Sequence, residues 1–261
     1  MNRFISNQSK ELKKKLFKLF DRIPNSTSYW HLSDAKDRFE ENFKKHPNSP
    51  HLLNYKKNPI TYEYNNYGFR TPDDFILKEE GNVFLGCSHT FGIGHYLENT
   101  WSYKLSKKIG GKFYNISEPG SGIQLQYEYL NYFKDKIKFN NLFHFLPDEC
   151  WVRFNPKTKE MLVYNNFEPN DLVKIYLNLI LDLCKSLGVN YYLLTKSYIR
   201  RNLDDSPNID AFHPKWNPAR DLSHYYSEEH DEICSIFYEK FLNNDTVRHQ
   251  EIKKEIFDKL I

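Results

Sequence analysis

The chain has 261 residues, enough for one α/β body with a full hydrophobic core but too few for a large multidomain protein. Hydrophobic residues make up only 39% of it, yet 20 Phe, 19 Tyr and 4 Trp supply large surfaces for burial, which excludes disorder for most of the chain. The 37 basic and 34 acidic side chains are interspersed, so the net charge of +3 does not indicate a nucleic-acid partner.

The four cysteines, Cys87, Cys150, Cys184 and Cys234, lie far apart in the sequence and form no CxxC pair. This spacing fits neither a disulfide scaffold nor a zinc knuckle, and it favours a reducing compartment. The first residues alternate lysine with leucine and phenylalanine, where a signal peptide needs an unbroken apolar stretch. We therefore expect a cytoplasmic protein, or one carried in a phage particle, with no signal peptide and no stable membrane insertion.

The first 60 residues predict a helical N-terminal extension. Apolar residues between positions 12 and 20 recur at helical spacing opposite lysines, which indicates an amphipathic basic helix. Such a helix packs on the main body or docks on a membrane surface or a partner. Residues 34–45 predict a second helix, and residues 60–70 an extended aromatic stretch with a turn at Gly68.

From residue 82 onward, short apolar runs alternate with helical segments. Strands are predicted at 83–85, 112–116, 142–146 and 191–194, and helices at 100–109, 123–137, 170–187 and 227–242. This alternation is typical of βαβ units with right-handed crossovers, which build a mostly parallel sheet. We expect a three-layer α/β/α sandwich with a parallel sheet of about five strands over residues 61–245, and a C-terminal helix packed on it over residues 246–261.

Two short motifs, one at each end of this α/β region, carry side chains suited to hydrolysis. Residues 86–94, Gly-Cys-Ser-His-Thr-Phe-Gly-Ile-Gly, directly follow the first strand, where Ser88 can be exposed at the top of the sheet. Asp221 precedes His224 by one turn, so its carboxylate can accept from one ring nitrogen while the other faces a nucleophile. Alone, each motif has a simpler interpretation: a tight turn with a capping serine, and a helix-capping aspartate beside a surface histidine. Together they favour a serine hydrolase.

The pair resembles the SGNH/GDSL hydrolase family over residues 82–242. That family has Gly-Asp-Ser after its first strand, Gly after the second, Gly-x-Asn-Asp after the third and Asp-x-x-His before the last helix. In this sequence Ser88 matches the nucleophile, Gly120 the second block, and Asp221 and His224 the last. The resemblance implies a flavodoxin-like SGNH fold and ester chemistry that needs no cofactor and no metal.

Two positions depart from the family pattern. Cys87 stands where the family has an aspartate that supports loop geometry more than chemistry. After the third strand the sequence has Asp148 and lacks the family's Asn, so an oxyanion hole would depend on the backbone N–H groups of Ser88 and Gly120. Arg153 either supplies positive charge in place of the missing amide or forms a surface ion pair.

Other polar residues have weaker support. His89 and His95 flank the glycine-rich loop and are candidates for lining a pocket, but they lack nearby carboxylates at the spacing a metal site needs. His230 is expected on the polar side of the last core helix. Residues 65–70, Asn-Asn-Tyr-Gly-Phe-Arg, look like a segment that precedes the hydrolase region in some bacterial and phage family members. Their simpler interpretation is a strand or turn packed on the domain.

The sequence therefore predicts a serine ester hydrolase or acyltransferase acting on a small acyl ester, with an O-acetylated glycan as the first substrate to consider because many relatives of this type act there. Ser88 would attack the acyl carbonyl, His224 would act as general base and then acid, and Asp221 would hold the histidine tautomer. The expected oxyanion and substrate-binding residues are Gly120, Asp148, Arg153 and His89. The alternative is a catalytically impaired SGNH-fold protein that binds carbohydrate or is a structural part of a virion.

Overall fold

The computed structural model describes residues 24–31, 34–75, 79–146, 169–195, 219–222, 224 and 226–247. Its helices, numbered α1 to α7, are Lys36–Lys45, Pro50–Lys57, Ser88–Phe91, Trp101–Ile109, Ile123–Phe133, Pro169–Leu187 and Ser227–Leu242. Its strands, numbered β1 to β6, are Ser26–Ser28, Tyr62–Tyr64, Glu80–Gly86, Lys112–Asn115, Lys138–Leu146 and Asn190–Thr195.

The central sheet of the described residues is parallel and has the strand order β4-β3-β5-β6. The chain leaves β3 toward β4 on one side and then crosses over to β5 on the other side of β3. The order therefore reverses at β3, and in open parallel sheets ligands bind outside the carboxyl ends of the strands at such a reversal. The glycine-rich loop, which begins where β3 ends, thus lies at the favoured place for a site.

Alternate residues of the strands supply two hydrophobic cores, one on each face of the sheet. One face presents a row of paired residues across all four strands, Tyr114, Val83, Leu142 and Tyr191, which are buried together with residues of α5 and α6. The opposite face presents Phe84, Phe143 and Tyr192, which stack in sequence with ring centroids 5.5 and 4.9 Å apart. Helices α4 and α7 cover this second face, where Trp101 stacks on Phe237.

The structure confirms a mixed α/β fold with a parallel sheet and helices on both faces. The described residues contribute four strands to this sheet, and the fifth strand stays a prediction. Strand β5 begins at Lys138, earlier than predicted, because Phe139 is buried between the exposed Lys138 and Asn140 and so continues the alternation of a strand. The turn predicted after β3 is a single helical turn, α3.

The N-terminal segment shares a core with the glycine-rich loop. Strand β1 pairs antiparallel with β2, and α1 and α2 bury Phe39, Leu52 and Tyr55. These side chains belong to one cluster with Phe91 and Ile93, which follow Ser88 in the chain. The basic helix predicted near residues 12–20 and residues 248–261 of the predicted C-terminal helix lie outside the described residues.

Two further findings concern the described part of the chain only. None of its helices combines the length and the apolar character needed to cross a membrane. Its three cysteines, Cys87, Cys184 and Cys234, are buried free thiols.

Candidate active site

Strand β3 delivers the chain to Ser88 through a glycine that the packing requires. A Cβ on Gly86 would lie 2.1 Å from the hydroxyl oxygen of Thr90 and 2.8 Å from the carbonyl oxygen of Phe145 on β5. Both distances are shorter than real Cβ contacts, so only glycine fits. The chain then turns into α3, which places the half-buried Ser88 at its first position, just beyond the carboxyl end of β3.

Cys87 is the other nucleophilic side chain in this loop, and its environment does not favour reactivity. Its side chain is buried, and burial raises the pKa of the thiol above the ordinary value for cysteine. Nucleophilic cysteines need a lowered pKa, because the thiolate is the reactive form. The hydroxyl of Ser88 donates to Cys87 Sγ at 3.8 Å, so the thiol serves as a weak acceptor for the candidate nucleophile.

The loop that carries Gly120 lies against the start of the Ser88 loop. The backbone N–H of Glu118 and the hydroxyl of Ser121 both donate to the carbonyl of Gly86, each at 3.2 Å. Gly120 itself is exposed and has a φ of +72°, a conformation that glycine adopts without strain. The second sequence block is thus held beside the first, with its glycine backbone open to solvent.

Asp221 and His224 form a hydrogen-bonded acid–base pair. Asp221 Oδ2 lies 2.7 Å from His224 Nδ1, and Asp221 Oδ1 accepts the backbone N–H of His224 at 3.3 Å. Leu222, between them, has a φ of +54°, and this left-handed residue folds the carboxylate back onto the ring. Because an ionised carboxylate only accepts, Nδ1 carries a proton, and the hydrogen bond favours the tautomer in which Nε2 is the acceptor.

The two members of the pair differ in solvent exposure, and the difference suits general base catalysis. The Asp221 side chain is 0% exposed, whereas that of His224 is 15% exposed. A buried carboxylate orients the ring, and the accessible ring edge can exchange protons with a bound substrate.

The loops that carry Ser88 and His224 meet, although they are far apart in the sequence. The ring of His89, the residue after Ser88, has its centroid 5.3 Å from that of His224. A Cβ on Gly94, later in the same loop, would lie 3.3 Å from Asp221 Oδ1. Of the predicted residues, His89, Asp221 and His224 are therefore brought together, and Ser88 directly precedes His89 in the chain. Asp148 and Arg153 lie outside the described residues.

Arg70 is a residue that sequence analysis did not assign to the site. It is buried and donates to the carbonyls of Phe91 at 3.1 Å, Gly92 at 2.5 Å and His95 at 2.7 Å, all in the loop after Ser88. Its guanidinium also stacks over the ring of Tyr62 at 4.4 Å. The segment over residues 65–70 thus does more than pack on the domain, because its last residue holds the shape of the Ser88 loop.

The expectation for His230 is wrong: it is 1% exposed and faces the core rather than solvent. Its Nδ1 accepts the backbone N–H of Trp101 at 3.2 Å, and its ring packs against His95 with centroids 4.8 Å apart. The first N–H groups of a helix lack intrahelical acceptors, and the imidazole supplies one for α4. The sequence contained the signal, since His230, Ile233 and Phe237 have the spacing of one buried helix face.

A series of buried side-chain hydrogen bonds links the sheet to the loop that carries Gly120. His144 Nε2 lies 2.7 Å from Gln126 Oε1 and His144 Nδ1 lies 2.9 Å from the Tyr191 hydroxyl, while Gln126 Nε2 donates to Ser121 Oγ at 3.2 Å. The amide oxygen only accepts, so the ring is protonated at Nε2 and neutral. Burial lowers the pKa of His144 to about 3, so the ring stays neutral near pH 7, and its two buried hydrogen bonds indicate a structural role.

No group of three or more His, Cys, Asp or Glu side chains in the described part of the chain is placed to hold a metal ion.

Comparison with known proteins found no protein-family model and no curated protein sequence that matches this chain.

Proposed function

We propose that the protein is a serine ester hydrolase or acyltransferase of the SGNH/GDSL type. The observation that carries the proposal is the acid–base pair of Asp221 and His224, 2.7 Å apart, packed against the loop that presents Ser88. A buried carboxylate, an oriented neutral imidazole and a neighbouring serine are the three groups that acyl transfer needs. The four parallel strands and their covering helices support the finer fold assignment to the SGNH sandwich.

The chemistry assigns one role to each group. Ser88 Oγ attacks the acyl carbonyl while His224 Nε2 takes its proton, and the carbonyl oxygen becomes an oxyanion. His224 then returns the proton to the departing alcohol, which leaves the acyl group on Ser88. Water or a second alcohol, activated by the same nitrogen, releases the acyl group and restores the serine. Asp221 keeps the ring in the Nδ1–H tautomer throughout.

Backbone N–H groups of Ser88 and Gly120 are the proposed oxyanion donors, and His89 is proposed to line the substrate cleft. The exposed backbone of Gly120, held beside Gly86 through Ser121, supports this assignment. Asp148 and Arg153 stay predicted contributors to substrate binding. The proposed substrate is a small acylated molecule, with an O-acetylated glycan as the first to test.

Covalent labelling of the purified protein with a fluorophosphonate tests this function, because these reagents modify serines only where an adjacent base activates them. We expect one adduct per chain, on the peptide that contains Ser88, and no adduct in Ser88→Ala. Ser235→Ala is a matched control, since Ser235 is an exposed serine on α7 whose hydroxyl donates to the carbonyl of Asp231. A wild-type protein that takes no label contradicts the proposal.

The alternative is a non-catalytic descendant that binds an acylated glycan or forms part of a virion. The specific observation in its favour is the absence from the sequence of the family's Asn after the third strand, where Pro147 and Asp148 stand. Removing one oxyanion donor typically lowers kcat by about 10²–10³. Such a loss weakens catalysis but does not by itself prevent ligand binding.

A further inference from the structure

Four residues form a closed ring of hydrogen bonds behind the candidate site. The Gly94 N–H donates to the Tyr62 hydroxyl at 2.9 Å, and that hydroxyl donates to Asp34 Oδ2 at 2.5 Å. Asp34 in turn accepts from Arg220 Nε at 2.8 Å and from its terminal nitrogen at 2.6 Å. The backbone N–H of Arg220 closes the ring by donating to the carbonyl of Gly94 at 2.8 Å.

The ring is buried and its geometry is specific. Asp34 and Arg220 are each 1% exposed, and the guanidinium lies 4.1 Å over the ring of Trp30. Two parallel N–H···O bonds between arginine and carboxylate fix both distance and orientation. Since burying an ion pair costs much of its Coulombic gain, such a pair is better explained by the arrangement it specifies than by stability alone.

The arrangement that it specifies is the contact between the two halves of the candidate site. Arg220 directly precedes Asp221, and Gly94 belongs to the loop that begins at Ser88. Asp34 binds the guanidinium of Arg220 directly, and it binds Gly94 indirectly, through the Tyr62 hydroxyl. None of the ring's hydrogen bonds uses the side chain of Ser88 or His224.

We propose that Asp34 is a positioning residue, which acts through Arg220 and Tyr62 to hold the Asp221–His224 pair in register with the Ser88 loop. The proposal deepens the proposed function and rests on it. It assigns to the N-terminal segment a part in catalysis, although that segment precedes the α/β region. A misplacement of about 1 Å between nucleophile and base can lower a rate by about 10².

The most direct variant is Tyr62→Phe, which removes one hydroxyl from the ring and leaves the aromatic surface under Arg70. Asp34→Asn removes the charge and keeps the shape. Tyr96→Phe is the matched control, because the Tyr96 hydroxyl also joins this loop to the N-terminal segment, by donating to the Asn58 carbonyl at 2.6 Å, but lies outside the ring.

The expected result is a decrease of about tenfold or more in the rate of fluorophosphonate labelling and in kcat for an activated acetyl ester in Tyr62→Phe and Asp34→Asn. The KM should change little, because neither side chain belongs to the proposed substrate cleft. Tyr96→Phe should stay within about twofold of wild type, because its hydroxyl takes no part in the ring that joins the two loops. Equal losses in Tyr62→Phe and Tyr96→Phe overturn the proposal, since they indicate general loosening of the segment.

A second measurement does not depend on hydrolysis. The His224 Nδ1–H proton that bonds to Asp221 should give a downfield proton resonance, which Tyr62→Phe should shift or broaden and Tyr96→Phe should not. If the wild type takes no label, the proposed function fails, whereas this resonance still reports whether the ring positions the pair. A folded Tyr62→Phe with the wild-type labelling rate and an unchanged resonance overturns the positioning role, whether or not Asp34→Asn folds.

Discussion

The backbone N–H of Arg220 donates to the carbonyl of Gly94 at 2.8 Å, and this hydrogen bond joins the loop of the candidate nucleophile to that of the candidate base. The approach is close because position 94 has no side chain. A Cβ there would lie 2.9 Å from Arg220 N and 2.9 Å from the Cβ of Ala219. The contact between the two loops therefore depends on a glycine that belongs to the same glycine-rich motif as Ser88.

Gly94→Ala should separate the two loops. Gly94 has a φ of +76°, so alanine adds backbone strain to the steric contact, and we expect a loss of about 1–3 kcal/mol in the free energy of unfolding. Gly188→Ala is the matched control, because Gly188 has a φ of +67° but no atom within 4 Å of its added Cβ. Denaturant unfolding and labelling of Ser88 check both variants. If Gly188→Ala costs as much stability and slows labelling as much, the close approach at Gly94 has no part in either effect.

Ser88→Ala and His224→Ala should each lower kcat for an activated acetyl ester by about 10⁴ or more, because the members of such a triad act as a unit. The double variant should lose little beyond either single variant. Steady-state kinetics with all three proteins test this non-additivity. Independent, additive losses would show that the two side chains do not act in one proton-transfer step.

Local spacing explains what the sequence predicted well. Strands such as 83–85 and 191–194 are short apolar runs bounded by turn residues, and the structure has β3 and β6 there. Asp221 and His224 are one turn apart, so their hydrogen bond needs only the left-handed Leu222 between them. Patterns of this range can be recognised without knowing the rest of the fold.

Long-range partners could not be predicted in the same way. Asp34 and Arg220 are 186 positions apart, and no periodicity in either segment indicates that they pair. Arg70 reaches the carbonyl of Gly92 only because β2 and the following turn bring it there. The polar residues that hold these loops were therefore missed, whereas the catalytic roles of Ser88, Asp221 and His224 stay a prediction.

Hydrolysis by this mechanism should fall on the acid side of neutrality, because a histidine accepts the serine proton only when it is neutral. The measurement is the pH profile of kcat/KM for an activated acetyl ester, with the stability of the protein followed in parallel. A profile that stays flat between about pH 5 and 8 excludes a histidine base that titrates in this range.

The stability of the fold should itself fall in acid, in part through His144. Burial lowers its pKa to about 3, whereas an unfolded histidine titrates near about 6.5. Between these values the unfolded chain binds a proton that the folded chain does not, so the free energy of unfolding decreases as the pH falls. The contribution of this one residue is about 1.4 kcal/mol per pH unit, or about 2 kcal/mol at pH 5.

His144→Gln removes this proton and tests the linkage. The variant is expected to be less stable than wild type at pH 7, since Tyr191 and Gln126 lose a partner, but its stability should depend less steeply on pH below about 6. Above about pH 7 the curves of the two proteins should run parallel, which serves as the internal control. Identical slopes in acid would assign the acid sensitivity to other groups, such as His230, whose pKa burial also lowers.

Variants at Gly120 distinguish the proposed enzyme from the alternative, a protein that only binds its ligand. Gly120→Ala and Gly120→Trp impose the same backbone strain at a φ of +72°, but only tryptophan adds a large side chain to the exposed loop beside Gly86. For the proposed enzyme, both variants should reduce kcat/KM. The value for the tryptophan variant should be lower than that for the alanine variant by about 10² or more, because tryptophan also displaces the substrate from the proposed oxyanion donor.

The alternative, a binding protein, gives a different pattern. Wild type then has no esterase activity, Ser88→Ala binds an O-acetylated glycan as wild type does, and Gly120→Trp abolishes that binding. Calorimetric titration with the glycan, measured beside ester turnover, distinguishes the two, and a wild type that binds without turnover reverses the proposal.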